Sequence, residues 1–280
     1  MKREFKTLSK KDIKPTKGIE RSKIQFLDSE IIAWDFGGQE KYRNSYKKKA
    51  ETYFSQIEEM FFVVDFQDAS AMAEAIQFYR EVILAMQKYS PNATINLLIN
   101  KFDPGYEDVP EHQKLYATII DKFQELSKGM NFRATHTTIF NPISVITAFS
   151  KPIFQNTTMY DNFQLLFMEF LQTHPGSKFV MVLTKDLMEI GNYFDPNVDQ
   201  QKMHDIAFEI FKSFEDKKLE LSEMHVDSAA ITFNITKFDA GSQTFYFTFG
   251  YDHTEITDSA PIVMDSLNLL EDIKKFLKYF

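Results

Sequence analysis

Two short, almost wholly apolar runs, Met60–Val64 and Thr94–Ile99, restrict what this chain can fold into more than any other feature. A strand half exposed to water alternates apolar and polar residues, whereas a continuous run of five or six apolar residues suits a parallel strand covered on both faces. Between them, Ala73, Ile76, Tyr79, Ile83 and Met86 recur at helical spacing, and Ser90-Pro91-Asn92 supplies the turn chemistry that ends the helix. A second helical pattern follows at Leu115, Ile119, Ile120, Phe123 and Leu126. Then come a strand over Phe132–Ile139 and a helix from about Met159 to Leu171. Strand alternating with helix predicts a parallel sheet wrapped by helices, with ligands bound at the carboxyl ends of its strands.

Upstream, Ile24 and Phe26, then Ile31 to Trp34, read as a hairpin whose turn is Leu27-Asp28-Ser29-Glu30. Downstream, Thr173-His174-Pro175-Gly176-Ser177 is the expected linker, because Pro and Gly cannot continue a helix. The expected domains are therefore 1–172 and 178–280, joined by 173–177. The second opens with a strand at Phe179–Leu183. A helix follows with the apolar stripe Met203, Ile206, Ala207, Ile210, Phe211 and Phe214. Ile231, Phe233 and Ile235, then Phe245, Phe247 and Phe249, alternate strictly and predict two strands with one buried sheet face. A helix bearing Leu267, Leu270, Ile273, Leu277 and Phe280 closes this α+β domain.

Composition excludes several classes of function. Without cysteine there is no disulfide, thiolate metal site or cysteine nucleophile. A net charge of −8 opposes broad contact with a phosphate backbone, so no nucleic-acid partner is expected. The six histidines are scattered without the paired spacing of a zinc site. No apolar run is long enough for a transmembrane segment, and the Lys-rich start lacks the apolar core of a signal peptide, so the expected location is cytoplasmic.

The chemistry sits at strand ends. Trp34-Asp35-Phe36-Gly37-Gly38-Gln39-Glu40 leaves an apolar strand where a loop reaches the carboxyl edge of the sheet. An Asp there can hold Mg²⁺ through water, Gly38 allows a backbone N–H close to a γ-phosphate, and Gln39 can orient an attacking water. Asn100-Lys101-Phe102-Asp103 ends a later apolar strand. Asp103 would accept two hydrogen bonds from guanine; adenine has no matching donor pair and would leave the acceptor unpaired. Alone, Gln39 reads as a polar loop residue and Asp103 as a turn former before Pro104-Gly105. Their order, spacing and common placement at strand ends carry the functional reading.

Together these motifs resemble the Ras-like GTPase superfamily, and the double glycine before Gln-Glu resembles its Arf, Gα and Rag-like members. Pro15-Thr16-Lys17-Gly18-Ile19-Glu20 is similar to the first switch loop, in which the resemblance implies that Thr16 joins the Mg²⁺ shell beside Asp35. Thr137-Thr138-Ile139 is similar to the fifth motif, whose backbone touches the guanine oxygen. Gly18 to Ser22, the Phe-rich strand at Met60–Val64 and the second domain favour the Rag/Gtr group, in which a roadblock-like domain follows the nucleotide domain. The resemblance implies a catalytic Gln39; nucleotide contacts from Gly38, Asn100, Lys101, Asp103 and Thr138; and GTP or GDP with Mg²⁺. It also implies a homo- or heterodimer with a Rag-like subunit, regulatory or scaffold proteins as further partners, and membrane recruitment, if any, only through them.

One element of the family pattern is missing. No Gly-x-x-x-x-Gly-Lys-Ser/Thr loop occurs within the 280 residues, and Met1–Lys14 read as the tail of the helix that follows such a loop. The first strand of the parallel sheet is expected to be absent with it, leaving an incomplete P-loop-NTPase-like sheet. Weak or absent GTP binding by these residues is the corresponding expectation. A nucleotide-free scaffold that dimerises through the second domain is the alternative.

Overall fold

The computed structural model describes residues 16, 18–26, 29–39, 42, 43, 46, 48–155, 157–217, 223–228 and 230–278. The expected helix tail at Met1–Lys14 lies outside the described residues, as do Pro15, Lys17, Leu27, Asp28, Glu40 and Phe280. The chain forms two compact units. One holds residues 33–152 with the described part of 10–22, and the other holds 23–32 with 153–280.

β1 (Ile19–Phe26) and β2 (Ser29–Phe36) form a two-stranded sheet. α1 (Ala50–Phe54) follows, then β3 (Glu59–Asp65), α2 (Ala69–Tyr89), β4 (Thr94–Asn100), a 3-10 turn at Tyr106–Asp108, α3 (Pro110–Leu126), β5 (Asn131–Thr137) and α4 (Pro142–Gln155). β3, β4 and β5 are parallel and end in register, with Asp65 beside Asn100 and Asn100 beside Thr137. Asp68 starts α2 by accepting a hydrogen bond from the Ala71 amide, which satisfies a donor the helix itself leaves open. The central strand β4 is buried up to its last residue, Asn100. Its Ile95, Leu97 and Ile99 pack with Tyr79, Ile83 and Met86 of α2 and with Ile119 and Phe123 of α3. On the opposite face Phe61 meets Phe149 of α4, with ring centroids 4.7 Å apart.

The α4 helix escapes a reading by sequence because Pro142 and Pro152 look like breakers. Pro142 occupies the first position, where no N–H is lost, and the Asn141 carboxamide oxygen accepts from the Ile143 and Ser144 amides. Among the described residues, β3 pairs only with β4, and β1–β2 is a sheet separate from β3–β4–β5. Val63, in the middle of β3, is 54% exposed.

In the second unit α5 (Thr158–Thr173) precedes β6 (Ser177–Thr184), β7 (Glu189–Phe194), α6 (Gln200–Lys217), β8 (Glu223–Ser228), β9 (Ile231–Ala240), β10 (Gln243–Asp252) and α7 (Ala260–Leu277). The strands form one antiparallel sheet in the order β7–β6–β10–β9–β8. This is an α+β arrangement. Phe163, Phe167 and Phe170 of α5 are buried in one cluster with Val180, Val182, Phe245, Phe247 and Phe249. Consequently α5 belongs to this unit, and the two units divide between Pro152 and Ile153.

The expectation of a single buried sheet face is corrected. α5 and α7 supply Phe167 and Ile273 to one cluster, while Met203, Ala207 and Phe211 of α6 join Phe179, Phe233 and Ile235 in another. Antiparallel register explains this, because it sets Phe233 opposite Gly250 and Asn234 opposite Phe249. The apolar positions of β9's first half and of β10 therefore point to opposite faces.

Candidate functional site

The carboxyl ends of the parallel strands gather one polar cluster. The Asp103 carboxylate accepts from the Thr138 hydroxyl at Oδ1 (2.6 Å) and from the Gln67 side-chain amide at Oδ2 (2.8 Å). The same Gln67 nitrogen donates to the Lys101 carbonyl at 3.1 Å. Lys101 sits in the left-handed region at φ 60°, an uncommon conformation for a non-glycine residue. Its ammonium lies 2.5 Å from Asp65 Oδ2, and that carboxylate raises the Lys101 pKa by hydrogen bonding and by charge. Asp65 Oδ1 accepts from the Gln67 backbone amide at 2.9 Å within the loop after β3, and the Lys101 and Gln67 side chains pin that loop to the loop after β4. Asn100 accepts from the Thr137 hydroxyl at 3.2 Å, joining the ends of β4 and β5.

A second cluster forms around the loop after β2. The Thr16 hydroxyl donates to Asp35 Oδ2 at 2.7 Å, bringing the two expected Mg²⁺ ligands together. The Gly37 amide donates to the Gly18 carbonyl at 2.7 Å, and the buried Tyr46 hydroxyl donates to the carbonyls of both Gly18 and Gly37 at 3.0 Å. Burial is the main cause holding the Tyr46 pKa above its ordinary value. A methyl at Gly37 would lie 2.5 Å from the Thr16 carbonyl, so a side chain there would part the two loops, whereas the corresponding position at Gly38 is open. Arg43 donates from Nε to the Gly38 carbonyl at 2.9 Å, pairs with Glu74 at 2.5 Å and lies over Phe78. Gln39 is exposed, and its carbonyl accepts from the Tyr42 amide at 2.9 Å.

The expected site residues thus fall into two groups, Thr16, Asp35, Gly38 and Gln39 in one and Asn100, Lys101, Asp103 and Thr138 in the other. Thr138 contributes through its hydroxyl, because its backbone amide donates to Ser144 Oγ at 3.0 Å. Sequence reasoning missed Gln67 and Tyr46. Asp65 turns the chain after β3 and holds Lys101 as well. The donor set suits the expected ligands: a hydroxyl and a carboxylate oxygen are hard donors fit for Mg²⁺. Asp103 offers oriented acceptors to a base that carries two adjacent N–H donors.

A parallel sheet with polar groups gathered at the carboxyl ends of its strands, followed by an antiparallel sheet with helices, defines the class: an α/β protein with its candidate site at those strand ends. Residues 4–211 match the family model described as Gtr1/RagA G protein conserved region, well over half of the chain. The chain belongs to the Gtr1/RagA G protein family. It is 25% identical over 116 residues to GTP-binding protein GTR1 of Saccharomyces cerevisiae, covering 41% of this chain and 36% of that protein. With Ras-related GTP-binding protein B of Rattus norvegicus it shares 23% identity over 139 residues, 49% of this chain and 36% of that protein. The matched stretches thus span about a third of these curated relatives. Similar solved structures include the gliding protein MglB of Thermus thermophilus, with TM-score 0.35, 8% identity and coverage of 44% of this chain and 94% of that one. A Roadblock/LC7 domain from Streptomyces avermitilis gives TM-score 0.31 and 15% identity, covering 41% of this chain and 96% of that one.

Proposed function

We propose that this protein is a guanine-nucleotide switch of the Rag type that dimerises through its second unit with a Rag-like subunit, identical or different. The observation that carries the reading is Asp103, held at the end of β4 by Thr138 with its carboxylate oriented as a base acceptor. In this reading Asp103 selects guanine, Asn100 fixes the strand ends that position it, and Lys101 and Thr138 complete the base site. Thr16 and Asp35 would hold Mg²⁺, whose chemistry there is to neutralise phosphate charge. The Gly38 amide would face the terminal phosphate, and Gln39 would orient the attacking water. Hydrolysis is expected to be slow unless a partner adds charge stabilisation, because Gln39 positions water and supplies no positive charge.

The absence of a Gly-x-x-x-x-Gly-Lys-Ser/Thr loop from residues 1–280 supports weak binding by these residues themselves. No helix among the described residues is long and apolar enough to cross a membrane. A cytoplasmic location, with recruitment to membranes only through partners, is part of the proposal. Size-exclusion chromatography with light scattering tests the dimer. The expected mass is twice the 32.8 kDa of one chain, or that of a complex with a recovered partner subunit. A strict monomer that recovers no partner contradicts it.

One observation favours a second reading, the nucleotide-free scaffold. The Thr16 hydroxyl bonds to Asp35, and Tyr46 holds Gly18 to Gly37, so direct hydrogen bonds between protein groups join the two loops.

A further inference from the structure

We propose that Gln67 is a latch that lowers guanine-nucleotide affinity, its side-chain amide occupying on Asp103 the place of the guanine amino group until nucleotide displaces it. The inference rests on the reading of Asp103 as the guanine acceptor. A primary carboxamide nitrogen and the exocyclic amine of guanine are both planar donors with two hydrogens, and either satisfies a carboxylate oxygen. Gln67 Nε2 uses its two hydrogens on Asp103 Oδ2 at 2.8 Å and the Lys101 carbonyl at 3.1 Å. With Thr138 on Oδ1, both carboxylate oxygens are engaged. Guanine would bring one donor to each oxygen; a carboxylate has about four acceptor sites, so the single hydroxyl of Thr138 can stay, and Gln67 would yield its site on Oδ2 to the guanine amine.

The placement is built in. The Gln67 backbone is held by Asp65 Oδ1, and the other Asp65 oxygen holds Lys101, whose left-handed backbone accompanies the carbonyl that Gln67 caps. Release of the side chain disturbs no core packing. Gln67 is exposed, and the anchor of its loop is the neighbouring Phe66, buried against Phe102 with centroids 4.9 Å apart. Such a latch makes the competent site a fraction of the population and lowers apparent affinity by that fraction. A ligand that cannot replace the lost donor, such as an adenine nucleotide, gains nothing by opening it. Gln67 therefore weakens the binding of guanine nucleotides and leaves that of adenine nucleotides unchanged.

Gln67→Met keeps the length of the side chain and removes the donor, and Gln67→Ala removes both. One intramolecular hydrogen bond of this kind corresponds to about a three- to tenfold change in binding. The test titrates the ¹⁵N-labelled 280-residue chain with GDP and with ADP, each with Mg²⁺, to millimolar concentration. It follows the Gln67 side-chain amide resonances and repeats the titrations on both Gln67 variants and on Asp103→Ala. GDP is expected to shift the Gln67 amide pair and ADP to leave it in place. Both variants are expected to bind GDP about three- to tenfold more tightly, with ADP unchanged. Unchanged or weaker GDP binding in both variants, or a fixed Gln67 signal at GDP saturation, overturns the latch. An Asp103→Ala chain that keeps the GDP-over-ADP preference instead overturns the base-site reading. Absence of GDP binding in every protein, both Gln67 variants included, overturns both.

Discussion

The Thr138 hydroxyl donates to Asp103 at 2.6 Å across 35 positions of sequence, so the loop after β5 sets the direction of a carboxylate carried by the loop after β4. A carboxylate oriented by a single hydroxyl keeps its remaining acceptor sites. That is what recognition of a base with two adjacent donors requires.

Exchanging the acceptor should exchange the base. Asp103→Asn replaces one carboxylate oxygen by an N–H donor, which opposes the guanine donors and matches the additional carbonyl of xanthine. Competition between GDP and xanthosine diphosphate is expected to show GDP weakened by at least about tenfold and the xanthine nucleotide strengthened.

Tyr46→Phe isolates the bond that closes the loops at Gly18 and Gly37. The ring contacts, such as that with Phe36 at 5.0 Å, remain while the hydroxyl shared by two carbonyls is lost. A cost of about 1 kcal/mol is expected, equivalent to a fall of a few degrees in melting temperature. An unchanged melting temperature would show that the closure contributes nothing to stability.

Alkaline pH should destabilise the first unit through Tyr79. Burial pushes its hydroxyl pKa up to about 12, a shift that the bond to Ser127 only partly offsets. The folded value lies above the unfolded value of about 10, so this stabilisation is complete below pH 10 and is lost as pH rises towards 12. About 3 kcal/mol is at stake for a shift of this size in a fully buried side chain. Denaturant midpoints at about pH 9 and about pH 11 should differ less in Tyr79→Phe than in the parent chain; equal differences would exclude Tyr79 as the cause.

In the second unit, Gly191→Ala should overpack the α5–β7 contact. The added methyl would sit 2.6 Å from Phe163 Cδ2, on a ring that is buried and stacked on Phe167. Destabilisation by about 1–3 kcal/mol is expected, with partial recovery when Phe163→Leu is added. Additive losses would place the strain elsewhere.

What could be read in advance was what local pattern determines. β4 announces itself by continuous apolarity, α2 by its spacing, and Asp103 by following an apolar strand. Gln67 gave no signal, because its role exists only through Lys101 and Asp103, more than thirty positions away. Tyr46 likewise acts on Gly18, 28 positions upstream. β7 was hidden by its composition. Glu189 begins that strand yet is buried, with the His204 imidazole 3.0 Å away and the Asn192 amide bonded to it, an arrangement a reading of hydrophobicity cannot anticipate. The opposite facing of Phe233 and Phe249 follows from strand register, which alternation within each strand leaves undetermined.

The most direct test of the central claim is calorimetric titration of GTP and of ATP, each with Mg²⁺, into the 280-residue chain. The expected dissociation constant for GTP is weaker than micromolar, with GTP preferred over ATP through Asp103. Micromolar or tighter GTP binding would contradict the role given to the missing phosphate loop, and equal affinity for the two nucleotides would contradict the guanine site itself.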